Sequence, residues 1–87
     1  MKTHDRKRFQ RLLSGLSFMR RGMVKEFKDV NTKRFSEERA RIVRKRMDKD
    51  LAIVKHIDAL AKELNERLGH APYVPEKVPK VVVRRVK

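Results

Sequence analysis

The 87 residues carry 25 Lys and Arg against 11 Asp and Glu, a formal net charge of +14, with 41% of positions charged and 39% hydrophobic. So short a chain holds one small domain and too little apolar surface for a multi-unit enzyme fold such as a dinucleotide-binding domain or a barrel. The charge excess attracts polyanions, nucleic acid first and anionic membrane second, and the absence of cysteine excludes a disulfide scaffold, a thiolate zinc site and a cysteine nucleophile.

The first 22 residues hold seven Lys and Arg and one acid, Asp5, a balance that looks like a mitochondrial presequence. The longest uncharged stretch there, Leu12 to Met19, is eight residues long, and no small-x-small cleavage site follows it. Roughly 20 apolar residues are needed to cross a bilayer, so no transmembrane span is expected. The expectation is an intracellular protein of the mitochondrial matrix or cytoplasm that keeps this segment and is not secreted.

From Asp5 to Val30 the apolar residues Phe9, Leu12, Leu13, Leu16, Met19, Met23, Phe27 and Val30 recur at steps of three and four, the pattern of one helix face. Thr3 or Asp5 is the candidate cap. Gly15 and Gly22 each cost about 1 kcal/mol against Ala in a helix interior. They mark places for a kink, or one flank where a partner backbone approaches. Phe18 points away from the stripe, among Arg11, Ser14, Arg21 and Lys25. It is either a platform on which an unpaired base stacks or an anchor covered by the tail or a protein partner.

The short polar segment Asn31 to Phe35 suits the turn of a helical hairpin. A second helix is expected from Ser36 to Leu68, roughly 50 Å long at 1.5 Å per residue. Ser36 is its cap, Glu37 and Glu38 lie at its positive end, and Gly69 and Pro72 stop it. Its stripe runs Ala40, Val43, Met47, Leu51, Val54, Ile57, Ala61, Leu64, Leu68. Ile42, Ile53 and Leu60 fall off that stripe and call for another element or chain to cover them. From His70 to Lys87, three prolines and the run Val81-Val-Val-Arg-Arg read as an extended basic tail, mobile alone and without an evident strand mate.

The fold expected is therefore all-α: a two-helix antiparallel hairpin over residues 1–69 with an extended Pro-rich basic C-terminal tail over 70–87. In such a hairpin, residues whose numbers add to about 66 face one another. Arg20 then falls roughly opposite Asp50, a pair that sets register, and Asp50 is also within reach of Arg46. Residues 20–50 carry twelve cations and six acids, residues 51–71 are neutral, and the tail from Pro72 has five cations and one acid.

Arg41, Arg44, Lys45 and Lys49 on the second helix and Arg21, Lys25 and Lys28 on the first project from the seam. With Lys33 and Arg34 in the turn they make a basic tip, and Arg84 and Arg85 add charge in the tail. Repeated cations of this kind suit a phosphate backbone, although Glu37–Arg41 pairing and Asp48 and Asp50 dilute the run. No catalytic constellation is expected: the histidines at 4, 56 and 70 share no ligand spacing, and no glycine-rich phosphate loop or nucleophile elbow is present. A protein that is not an enzyme and uses no metal, cofactor or small-molecule substrate is expected.

Three functional expectations follow. The first is a nucleic-acid-binding structural subunit, with RNA favoured over DNA, protein neighbours in a larger assembly and little role for a membrane surface. Helices with Pro-rich basic tails and no core of their own resemble small ribosomal and mitoribosomal proteins in composition and architecture, without a specific motif. The second is a helical subunit of a respiratory or viral protein complex, docking through Phe18, Ile53 and Leu60. The third is a dimeric DNA-binding regulator, because Arg39-Ala-Arg-Ile-Val-Arg-Lys-Arg before heptad-spaced apolar residues resembles a basic leucine zipper. That run lacks the Asn and Ser/Cys-Arg pattern with which such basic regions read bases.

Overall fold

The computed structural model describes residues 2–86. Helix α1 spans Thr3–Asn31, strand β1 Arg34–Phe35, helix α2 Glu37–Arg67 and strand β2 Arg84–Arg85. The two helices fold back on each other as the expected antiparallel hairpin, and the principal extents of 58 × 19 × 15 Å describe a rod. Among the described residues no helix is long and apolar enough to cross a membrane.

The signals that bound α2 act as the sequence implies. Ser36 accepts a hydrogen bond from the Arg39 amide at 3.3 Å, satisfying one of the free donors of the first turn. Glu37 and Glu38 follow in that turn, where the positive end of the helix dipole favours carboxylates. At the other end Gly69 takes a φ of +71°, the left-handed conformation that ends a helix at little cost in glycine. Of the expected α2 stripe, Ala40, Val43, Met47, Val54, Ile57, Ala61 and Leu68 are buried, and Leu51 and Leu64 half-buried.

Helix α1 departs from its expected face. Phe27 and Val30 are buried as anticipated, but the seam continues through Val24 and Arg20, while Leu12 and Met19 stay about half exposed. The buried line has turned by one residue because Arg20 finds partners inside. Its Nε donates to Asp58 Oδ1 at 2.7 Å, and Tyr73 Oη donates to the same oxygen at 2.9 Å. A guanidinium so supplied can lie in a seam that otherwise excludes charge. Neither expected cap is used: Lys2 occupies the N-cap position of α1 and makes no side-chain cap bond. The helix runs unbroken through Gly15 and Gly22, and nothing in the chain lies within 4 Å of a Cβ built at either, so neither glycine is needed for a close approach within the hairpin.

The register is also shifted. Arg20 meets Asp58 rather than Asp50, and Arg46 reaches Glu26 across the seam at 2.9 Å rather than Asp50, so cross-helix partners have numbers adding to 78 and 72. The cause is the connection. The extended pair Arg34–Phe35 carries the chain past the end of α1 at about 3.3 Å per residue before α2 begins. Each α1 residue therefore faces a later α2 residue than a tight turn would give it.

The largest correction concerns the tail, which has a mate within the chain. After Gly69 it runs back along the hairpin to the turn, where β2 pairs in parallel with β1, Arg34 opposite Arg84 and Phe35 opposite Arg85. The Val86 amide donates to the Phe35 carbonyl at 2.8 Å. Asn31, the last residue of α1, holds the approach: its Nδ2 donates to the Lys80 carbonyl at 2.8 Å, and its Oδ1 accepts from the Val82 amide at 2.7 Å. An asparagine side chain bonded in this way stands in for a strand. Val78, Val81 and Val83 then pack on the cluster of Phe27, Val30, Val43, Met47 and Val54. The tail is thus a third layer over the turn half of the rod.

Candidate nucleic-acid interface

The turn end gathers cations from three parts of the sequence. Parallel pairing sets Arg84 beside Arg34, and side chains of paired residues leave a sheet on the same side. Glu37 Oε1 lies 3.6 Å from Arg41 Nη2 and 3.9 Å from Arg85 Nη1, so one exposed carboxylate links the start of α2 to the end of the tail. Such exposed pairs contribute about 0–1 kcal/mol each, small enough for either arginine to exchange Glu37 for a phosphate. From Arg41 the edge continues through Lys45 and Lys49 at steps of about 6 Å along the helix axis, with Arg44 beside them. Lys33, Arg34, Arg44, Lys45, Lys49 and Arg84 are exposed and make no ion pair among the described residues.

Two candidates on α1 belong elsewhere. Arg21 and Lys25 flank Phe18 and, with Gly22, line a shallow recess of their own. Phe18 is 73% exposed, so the tail does not cover it. Lys28 is engaged by the tail, its Nζ donating to Glu76 Oε1 at 2.9 Å. That hydrogen bond, with the nearby ammonium charge, holds the Glu76 carboxyl below its ordinary 4.5. The lysine serves as a tail anchor in this conformation.

The apolar candidates also separate. Leu60 faces a groove shared with Leu12 and Met19, whereas Ile53 stands on α2 at 40% exposure and Ile42 at 54%, outside that groove. The tail leaves all three of the off-stripe α2 residues uncovered.

Sequence reasoning missed the residues that build the interface rather than those that form its surface. The sequence pattern puts Asn31 in the turn and gives Tyr73 and Asp58 no role. The polar end of α1 and the one tyrosine in a proline-rich tail were the available signals. Burial, and then the hydrogen bond it donates to Asp58, hold the Tyr73 phenol above its ordinary 10.0. Compared with known proteins, the chain matches no family model, no curated protein and no solved structure.

Proposed function

We propose that this chain is a structural nucleic-acid-binding subunit that grips the phosphate backbone of folded RNA with the turn end of its hairpin. The observation that supports it most is the β1–β2 pairing, which adds the tail's Arg84 and Arg85 to the cations of the turn and of α2. Arginines present a planar fork matched to phosphate oxygens, and the lysines beside them supply point charge. Binding releases condensed counterions, which is the main source of affinity for such a surface. The basic edge of α2 carries no base-reading pattern and its seam is already filled by α1, which argues against a zipper-type reader of DNA and leaves folded RNA as the polyanion proposed. The role is binding without catalysis, inside the cell, in the cytoplasm or mitochondrial matrix.

The test is a salt titration of binding to a short RNA hairpin, read by fluorescence anisotropy, for the native chain and for Arg34→Gln/Arg84→Gln/Arg85→Gln. Each lost phosphate contact lowers the slope of log affinity against log salt by about one, so the triple variant is expected to lose about three. An unchanged slope with unchanged helicity removes the turn end as the interface.

A further inference from the structure

The hairpin is closed along one half and open along the other. Toward the free end, Leu12, Gly15, Leu16 and Met19 of α1 and Leu60 and Leu64 of α2 line a groove of about 470 Å³. Leu12, Met19 and Leu60 are each at least half exposed. The tail is spent on the opposite half, with its valines on the Phe27–Met47 cluster and its end on β1.

We propose that this groove receives an amphipathic helix from another protein, one that carries Asp or Glu beside its apolar ridge. The shape argues for a helix. From Leu12 to Met19 is two turns, about 10 Å of axis, the length over which a packed helix presents three apolar anchors. Two antiparallel helices with a shared open face accept a third as a bundle does.

The charge argues for an acidic one. Arg11 stands on the rim without an ion pair among the described residues, and Lys7 lines the adjoining recess with it. The other rim arginine, Arg67, is held by Glu63 at 2.9 Å, which leaves the Arg11 side to be complemented. A second copy of the chain fits poorly, because each brings +14 and the same basic rim. Three half-exposed side chains make a small interface, so micromolar affinity is expected. This site is separate from the phosphate-binding end, and the two stand or fall independently.

The experiment titrates the full chain with a synthetic 18-residue peptide bearing Leu at steps of three and four and Glu on its other faces. Comparison peptides have the same residues scrambled, or Lys in place of Glu. The reporters are the methionine methyl signals: Met19 at the groove is expected to shift, and Met47, 2% exposed in the core, to stay. Burying one leucine-sized group is worth about a tenfold change or more in affinity, so the scrambled peptide is expected to bind at least about tenfold more weakly. The Lys peptide, which keeps the leucines but sets like charge against Arg11 and Lys7, is expected to bind more weakly than the Glu peptide.

Gly15→Leu fills the groove where nothing lies within 4 Å of the added Cβ. It is expected to raise the melting temperature and abolish the Met19 shift, while Arg11→Glu weakens binding and Arg34→Gln leaves it unchanged. Equal binding of the scrambled or Lys peptide overturns the proposal, as does binding that survives Gly15→Leu. So does a self-dimer of the native chain, detected by sedimentation, that Leu60→Asp dissolves.

Discussion

The two halves of the rod are built from the same two helices yet differ in depth. At the turn end the tail lays Val78, Val81 and Val83 over the helix pair, and Phe27 and Met47 are sealed beneath them. At the free end no third layer is present among the described residues, and Leu12, Met19 and Leu60 remain about half exposed. Two helices alone bury one stripe each, and a third element is needed to cover the flanks. The charge follows the same division. The three-layered half gathers the cations of turn, α2 and tail, while the open half sets an apolar groove beside a second basic cluster, Arg6, Lys7, Arg8 and Arg11, at the start of α1.

The sharpest way to break this contrast is to truncate one apolar side chain in each half. Phe27→Ala is expected to cost about 3–5 kcal/mol, the range for a buried aromatic that leaves a cavity. Leu12→Ala is expected to change stability by no more than about 0.5 kcal/mol, as surface substitutions do. Urea unfolding of both variants checks the pair, and similar losses would mean that the free end is as well packed as the turn end.

Next in size is the junction between the halves. Asp58→Ala leaves the Arg20 guanidinium, with 8% of its side chain exposed, without its carboxylate, and removes the acceptor of Tyr73. Because Asp58 keeps about a third of its surface in water, the expected loss is about 2–3 kcal/mol, below that of a fully buried pair. Arg20→Met restores much of that loss in the Asp58→Ala background, since an apolar side chain of similar length can fill the seam. Failure of that rescue would show that the ion pair does more than satisfy a buried charge.

Asn31→Ala separates the tail from the hairpin more gently. Two hydrogen bonds worth about 1 kcal/mol each are lost, partly replaced by water at this exposed position, so about 1 kcal/mol is expected. Hydrogen exchange at the Val82 amide is the measurement, with faster exchange there and unchanged protection at Val54.

The smallest effect is alkaline. Because the folded chain holds the Tyr73 phenol above 10.0, its contribution is whole below pH 10 and is lost as the pH rises through the raised value. Native chain and Tyr73→Phe are expected to differ less at pH 11 than at pH 8 in thermal melts. A constant difference would place the phenol's contribution in packing alone.

Much of the hairpin was legible in the sequence because its signals are local. Ser36, Gly69 and the α2 stripe act within one or two turns of themselves, so period and caps suffice. What was not legible depends on residues far apart in the chain. Hairpin arithmetic sets Arg20 opposite Asp50, but its partner is Asp58, which also accepts from Tyr73 of the tail, and that register is set by the connection and the tail rather than by the local pattern. The tail's route depends on Asn31 bonding residues about fifty positions later. The candidate interface was half legible for the same reason. Its cations are visible in the sequence, but their gathering by β1 and β2 is a tertiary fact.

The most direct test of the account is the affinity of the native chain for a short RNA hairpin between 50 and 200 mM salt. If the turn end covers about 6–10 phosphates, affinity falls about 10³–10⁵-fold across that range. A flat response, or no binding at the lower salt, contradicts backbone recognition and leaves the basic end as a solvated surface.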